Sequence, residues 1–206
     1  MKRQVKGFSL NGLSEYYDLM TPAEKSKFRR RQIALMDIRE GEKVLDVGCG
    51  TGVLSILSKL SVGETGEVEG IDIASQMIAK ARQKADRAKL KIGFKVASID
   101  ALPYPDNYFD LIISSMMFHH LPVETKKKGI EEVYRVLKDE GRFFLCDFFT
   151  PGIVVLPLIY FMFIWTSSTR YQLLGKLPGL IGECGFKTME LKRKGSFLEY
   201  YLVTKQ

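Results

Sequence analysis

Residues 44–52 read VLDVGCGTG. A short apolar run that ends in glycines suits a strand buried on both faces, the kind found in parallel sheets. Gly48, Gly50 and Gly52 let the backbone turn tightly and approach a ligand closely, while the next helix presents its N-terminal N–H groups. The spacing excludes two common loops. A dinucleotide fingerprint would need glycine at position 53, where Val53 stands, and a P-loop would need Lys and Ser or Thr after the last glycine. What remains is Asp46 followed by GxGxG, with Cys49 and Thr51 between the glycines.

The elements around this loop alternate. A basic helix is expected over 25–37, with Phe28, Ile33, Leu35 and Met36 as its apolar residues. After the glycine loop come a helix (VLSILSKL), a strand (EVEGIDI), a long helix capped by Ser75, a strand (KIGFKVAS) and a strand (YFDLIISSM). A helix follows over 123–137, with Ile130, Val133, Val136 and Leu137 at helical spacing, then a fifth strand, GRFFLCDFF. A short helix closed by Gly185 leads to two strands, KTMELKRK and SFLEYYLVTKQ, read as an antiparallel pair joined at Gly195 and Ser196. Strands alternating with helices imply an α/β fold, a mostly parallel sheet covered on both faces. In such sheets ligands bind past the carboxyl ends of the strands.

Composition bounds the class. The 206 residues are 46% hydrophobic and 27% charged, which suits one soluble globular domain. The net charge of +7 permits attraction to phosphate-bearing partners and equally serves solubility. Cys49, Cys146 and Cys184 lie far apart without a CxxC or a neighbouring His, so neither a zinc site nor a disulfide framework is expected. An odd cysteine count and an N-terminus without an apolar signal core lead us to expect a cytoplasmic protein.

Two further acids fall where ligands bind. Asp72 ends the second strand, where a carboxylate can accept hydrogen bonds from the hydroxyls of a ribose; its alternative role is an acid at a helix start. Asp100 follows the third strand, with the small Ala101 beside it, and can accept from an exocyclic amine or simply form a turn.

Together, VLDVGCGTG, GIDIASQMIAKAR, DALPYPDNYFDLIISSMMFHHL and EEVYRVLKDEGRFFL resemble the class I S-adenosylmethionine-dependent methyltransferases, in the small-molecule group related to the ubiquinone/menaquinone C-methyltransferases. The resemblance covers residues 43–144. It implies a Rossmann-like seven-stranded sheet with the last strand antiparallel, and S-adenosyl-L-methionine as cofactor. One domain over 1–206 is expected, with an N-terminal helical cap over 1–40 and an apolar lid insertion over 149–176. The resemblance assigns Asp46, Gly48, Cys49, Gly50, Thr51 and Gly52 to the cofactor loop and Asp72 to the ribose. It puts Ile73 and Met77 near adenine, Ser98, Asp100 and Ala101 at the adenine edge and face, and Ser115 beside the methionyl end. Tyr16 or Tyr17 is placed as a cover. The quinone enzymes proper carry Arg-Asn-Val after the fourth strand; here MMFHHLP stands, which points to the broader group that includes phospholipid, sterol and small-metabolite methyltransferases.

Methyl transfer needs alignment, and a base only where the acceptor must lose a proton. His119 and His120, in the loop after the fourth strand, are candidates, with Asp147 and Tyr17 behind them. One histidine can equally just orient the loop. The sequence lacks the Asn/Asp-Pro-Pro-aromatic motif of base methylation, so DNA is not expected, and RNA rests on charge alone. A non-catalytic S-adenosylmethionine-binding module is the rival reading, and a nicotinamide-dependent oxidoreductase is disfavoured by Val53.

Residues 153–165, IVVLPLIYFMFIW, contain no charge. As a helix they would span roughly 20 Å against about 30 Å of hydrocarbon, and Pro157 interrupts them, so a membrane span is not expected. They form either a lid or homodimer interface, or part of a site for a lipid-like acceptor. In the latter case KFRRRQ, residues 27–32, would lean on an anionic membrane at its inner face.

Overall fold

In the computed structural model the described residues are 22–148, 171, 175–194 and 198–206. Tyr16, Tyr17 and the apolar residues 153–165 lie outside them, as do most of the expected lid and the first half of the expected cap.

The elements follow the order α1 (Pro22–Met36), β1 (Lys43–Val47), α2 (Val53–Val62), β2 (Glu67–Asp72), α3 (Ser75–Arg87), β3 (Gly93–Val96), β4 (Phe109–Ser115), a 3-10 turn (Phe118–His120), α4 (Val123–Val136), β5 (Leu137–Phe148), α5 (Leu177–Glu183), β6 (Thr188–Lys194) and β7 (Leu198–Thr204). The seven strands form one sheet in the order β3-β2-β1-β4-β5-β7-β6. β1 pairs in parallel with both β2 and β4, and β4 in parallel with β5. β7 runs antiparallel between β5 and β6 and is the reversed strand of the sheet. The expected fold is thus the observed one.

Side-chain alternation explains why the strands read as continuous apolar runs. Leu45, Val47, Ile112, Phe143 and Leu145 meet Ile130, Val133 and Val136 of α4 on one face. Val44, Val68, Leu111, Ile113 and Phe144 meet Met36 of α1 and Leu54 and Val62 of α2 on the other. Each such side chain fully removed from water contributes roughly 1.5–3 kcal/mol. Asp46 shares the face of Val44, so its carboxylate is turned toward α2 rather than outward.

Two boundaries differ from expectation. Ser75 begins α3 but does not cap it; Ala74 is the cap residue and makes no side-chain bond. The task falls to Asp72, whose Oδ1 accepts the Ala74 N–H at 2.8 Å. The fifth strand starts at Leu137, directly from α4, rather than at Gly141. Glu140 takes a left-handed φ of 59° there, and β5 reaches the chain's end through Glu140 N–H to Lys205 O and Lys205 N–H to Gly141 O, each 3.0 Å.

α1 is tied to the sheet by a buried cation. The Arg142 guanidinium on β5 donates to the Asp37 carbonyl just past α1 and pairs with the Glu42 carboxylate just before β1. Burying such a group requires paired partners, and these two fix the angle at which α1 leaves the sheet.

Gly52 carries the close packing behind the loop. Its φ is +77°, and a Cβ there would lie 2.8 Å from Ala81 Cβ and 3.0 Å from Phe94. Both effects act against any side chain. Gly52→Ala is expected to lower stability by about 2 kcal/mol or more, read as a fall in the urea midpoint with an unchanged slope. A midpoint equal to that of the wild type would show that α2 and α3 are not packed through this glycine.

Candidate functional site

A cleft of about 360 Å³ opens at the carboxyl ends of β1, β2 and β4. It falls at the reversal of strand order between β1 and β4, the place where doubly wound sheets take ligands. Its size suits a small molecule or cofactor.

The glycine loop forms its floor. Gly48 N–H and Cys49 N–H both donate to the Ile71 carbonyl at 2.9 Å, which pins the loop to the end of β2. Gly50 has φ +53°, and a Cβ built on it would meet nothing within 4 Å, so the backbone here is open to a ligand. Thr51 is buried, and its Oγ1 accepts from Lys84 Nζ at 2.8 Å. Beneath the loop, Asp46 is 2% exposed and its Oδ2 accepts from Ser55 Oγ at 2.6 Å. Burial pushes the Asp46 carboxyl up to about 6 against the pull of Ser55 and the Arg29 charge.

Asp72 joins two loops. Its Oδ2 accepts the Gly50 N–H at 3.0 Å while Oδ1 accepts from Ala74. A carboxylate oxygen has room for a second donor, so both oxygens can also accept from a ligand. Burial raises its pKa, and the two backbone N–H groups oppose that. The helix-start reading of Asp72 made from the sequence is seen in the bond to Ala74, and the same carboxylate lines the cleft.

Of the other sequence candidates, Asp46, Gly48, Cys49, Gly50, Thr51, Ile73, Met77, Ser98, Ser115 and His120 line the cleft with Asp72. Gly52 packs behind the loop. Asp100 and Ala101 are not among the lining residues: Ser98 Oγ donates to the Asp100 carboxylate, and Ala101 N–H closes the turn on Ser98 O at 3.3 Å. Ser98 and Ile99 are what that turn offers to the cleft.

The histidines divide. His119 is buried with its Nδ1 2.7 Å from Asp147 Oδ1, and its backbone N–H donates to Asp147 Oδ2 at 3.3 Å. His120 lines the cleft, its ring centroid 3.8 Å from that of His119. Burial, aided by the neighbouring His119 and Lys126 and opposed by Asp147, lowers the His120 pKa to about 4, so its imidazole is neutral at physiological pH. Lys126 is itself fully buried, with Nζ on the Leu121 carbonyl at 2.8 Å. Burial pushes the Cys146 thiol up to about 12 and the Cys49 thiol higher still, so neither offers a thiolate nucleophile.

Sequence reasoning missed the far wall. Phe28, Arg29 and Gln32 of α1, Met116 and Met117 after β4, and Leu198 of β7 all line the cleft. Their elements are far apart in the chain, and only the sheet order brings them together. Met116 adopts a left-handed φ of 58°, a costly conformation for a non-glycine residue, and it turns the chain at the cleft's edge.

Asp46 generates a pH-dependent prediction. Its pKa is raised from 3.8 to about 6 on folding, so the protein binds this proton more tightly when folded. The group's contribution is fully favourable below pH 3.8 and is lost as pH rises through about 6, a change of roughly 3 kcal/mol. Asp46→Asn is therefore expected to be more stable than the wild type at pH 7.5, with the difference vanishing near pH 4, by urea unfolding at the two values. A variant less stable at pH 7.5 would contradict the assignment.

Comparison with known proteins agrees with this geometry. A family model described as a methyltransferase domain matches residues 44–141. The ubiquinone/menaquinone biosynthesis C-methyltransferase UbiE of Pseudoalteromonas translucida is 37% identical over 145 residues, which cover 69% of this chain and 57% of that protein. UbiE of Yersinia enterocolitica is 35% identical over 168 residues, covering 81% and 64%. The chain therefore spans about three-fifths of the length of these relatives. A S-adenosylmethionine-dependent methyltransferase from Aquifex aeolicus superposes with a TM-score of 0.73 over 93% of this chain and 97% of that one, at 22% identity, a likeness of fold. Taken with the glycine loop and Asp72, these matches show that the chain belongs to the class I S-adenosylmethionine-dependent methyltransferases, with S-adenosyl-L-methionine as its cofactor, and that it is related to the ubiquinone/menaquinone C-methyltransferases.

Proposed function

We propose that the chain transfers the methyl group of S-adenosylmethionine to a small apolar acceptor, quinol-like or lipid-like. The observation that carries this is one cleft lined both by Asp72 and Ser98, past β2 and β3, and by Gln32, His120 and Leu198, from α1, the residues after β4 and β7. The first set suits the cofactor's nucleoside, and the second leaves room for a second molecule.

In this reading Asp72 accepts from the ribose hydroxyls, Ile73 and Met77 lie against adenine, and Ser98 meets the adenine edge. Gly50 admits the cofactor to the loop backbone, and Asp46 offsets its positive charge from below. When bound, S-adenosylmethionine supplies an electrophilic methyl group on a sulfonium sulfur. The chain aligns the acceptor in line with that methyl and keeps water out. His120 accepts the acceptor's proton or holds its hydroxyl, with His119 and Asp147 fixing the loop. The acceptor's quinol-like character is suggested by the names of the relatives, which belong to ubiquinone and menaquinone biosynthesis.

The test uses S-adenosylmethionine labelled in its methyl group, incubated with the protein and a lysate, followed by extraction with organic solvent. Label is expected in the organic phase, and in the Asp46→Asn variant, which removes the group that titrates near 6, the rate is expected to fall on the acid side only near pH 4, where His120 gains its proton. Tight cofactor binding with no transfer in any lysate fraction would favour a binding module. An acid limb near 6.5 would remove His120 from the role.

A peripheral membrane position is part of the same proposal. Lys27, Arg30 and Arg31 are exposed on α1, the helix that also supplies the cleft's far wall, and among the described residues no helix is long and apolar enough to cross a membrane. Sedimentation with anionic vesicles is expected to exceed that with neutral vesicles and to weaken with salt. Equal, salt-independent sedimentation would reject it.

A further inference from the structure

The far wall of the cleft holds a buried polar group that the proposed chemistry does not use. Gln32 is fully buried on α1 and lines the cleft beside Phe28 and Arg29. Its Nε2 donates to Ser115 Oγ at 2.6 Å, which fixes the plane of the amide at the end of β4. Its Oε1 is equally buried and has no hydrogen-bond partner among the described residues. A buried carbonyl oxygen without a donor is costly, and proteins keep few of them.

Its position selects what would satisfy it. The groups suited to the cofactor, Asp46, Gly50, Asp72 and Ser98, come from β1, β2, β3 and their loops. Gln32 comes from α1 and is bonded at the end of β4, while His120 and Leu198 come from the loop after β4 and from β7, on the other side of the β1–β4 divide. With Arg29 and Ser115, the lining contributed by α1, the residues after β4 and β7 includes the apolar Phe28, Met116, Leu121 and Leu198. Arg29 lines the same cleft, and its charge acts on Asp46. The neutral His120 lines the same cleft and can also accept a hydrogen bond. A chamber with apolar walls and two acceptors fits an apolar molecule that carries hydrogen-bond donors.

We infer that Gln32 is a specificity-determining residue of this chamber, its Oε1 accepting a hydrogen bond from a hydroxyl or N–H borne by an otherwise apolar methyl acceptor. The inference rests on the methyltransferase reading above. A site built around an unpaired acceptor discriminates strongly against an analogue that lacks the donor, because the buried oxygen is then left unsatisfied.

The test uses two probes, 1,4-dihydroxynaphthalene and 1,4-dimethoxynaphthalene, titrated without oxygen into the full chain saturated with S-adenosylhomocysteine, which has no methyl to give. The wild type is expected to prefer the dihydroxy probe by about tenfold or more. Gln32→Leu is expected to cut that preference to about threefold or less while S-adenosylhomocysteine binds as before, and Gln32→Glu, which keeps an acceptor oxygen, to retain it. Gln32→Met, of similar length and without the oxygen, reads the same quantity should the Leu variant not fold. A preference that survives in the Leu or Met variant, or no binding of the dihydroxy probe by the wild type at about 1 mM, overturns the inference. Loss of S-adenosylhomocysteine affinity in the Leu variant also overturns it and assigns Gln32 to the cofactor. Failure of the wild type to bind S-adenosylhomocysteine at all would instead reject the methyltransferase reading.

Discussion

The Asp72 carboxylate is the point on which the site depends. One oxygen holds the Gly50 N–H and the other the Ala74 N–H. The first bond holds the open turn of the glycine loop; the second is at the start of α3, which packs Ala81 behind that loop and puts Met77 in the cleft. Charge-assisted bonds of this kind are stronger than neutral ones and keep their geometry. The carboxylate thus organises the floor of the cleft while keeping lone pairs available to a ligand.

A second constraint acts from the other side of the sheet. Arg142 ties the end of α1 to the start of β1, and Gln32 ties the middle of α1 to the end of β4. Between them they bring α1 over the β1–β4 divide, where Phe28, Arg29 and Gln32 complete the cleft. The interior charges follow the same division. Asp46 lies under the glycine loop; His119, Asp147 and Lys126 are buried beside His120, whose own burial, against the pull of Asp147, keeps it neutral. Buried ionisable groups held in this way cost stability, and clusters of them in a cleft mark function.

The sheet and its ligand face were readable from the sequence because local signals agreed with one another: apolar runs ending in glycine or acid, helical spacing between them, and turn residues at the boundaries. The placing of Asp46, Gly50, Asp72 and Ser115 at the cleft was readable for the same reason, since each lies in or just past the carboxyl end of a recognisable strand. Asp100 was not, because a carboxylate bonded to its own Ser98 turn looks the same in sequence as one that faces a ligand. Gln32 and Leu198 carry no local signal at all. A glutamine among arginines on a basic helix reads as solvated, and only the sheet order buries it completely. Lys126 misleads in the same way, one of three consecutive lysines and yet fully buried.

The most direct test of the account is a crystal structure of the chain with S-adenosylhomocysteine. The account predicts the ribose hydroxyls within hydrogen-bond distance of the Asp72 carboxylate and the adenine against Ile73 and Met77. It also predicts that the sulfur faces the chamber lined by Gln32, His120 and Leu198. A nucleoside seated away from Asp72, or a sulfur turned from that chamber, would contradict it.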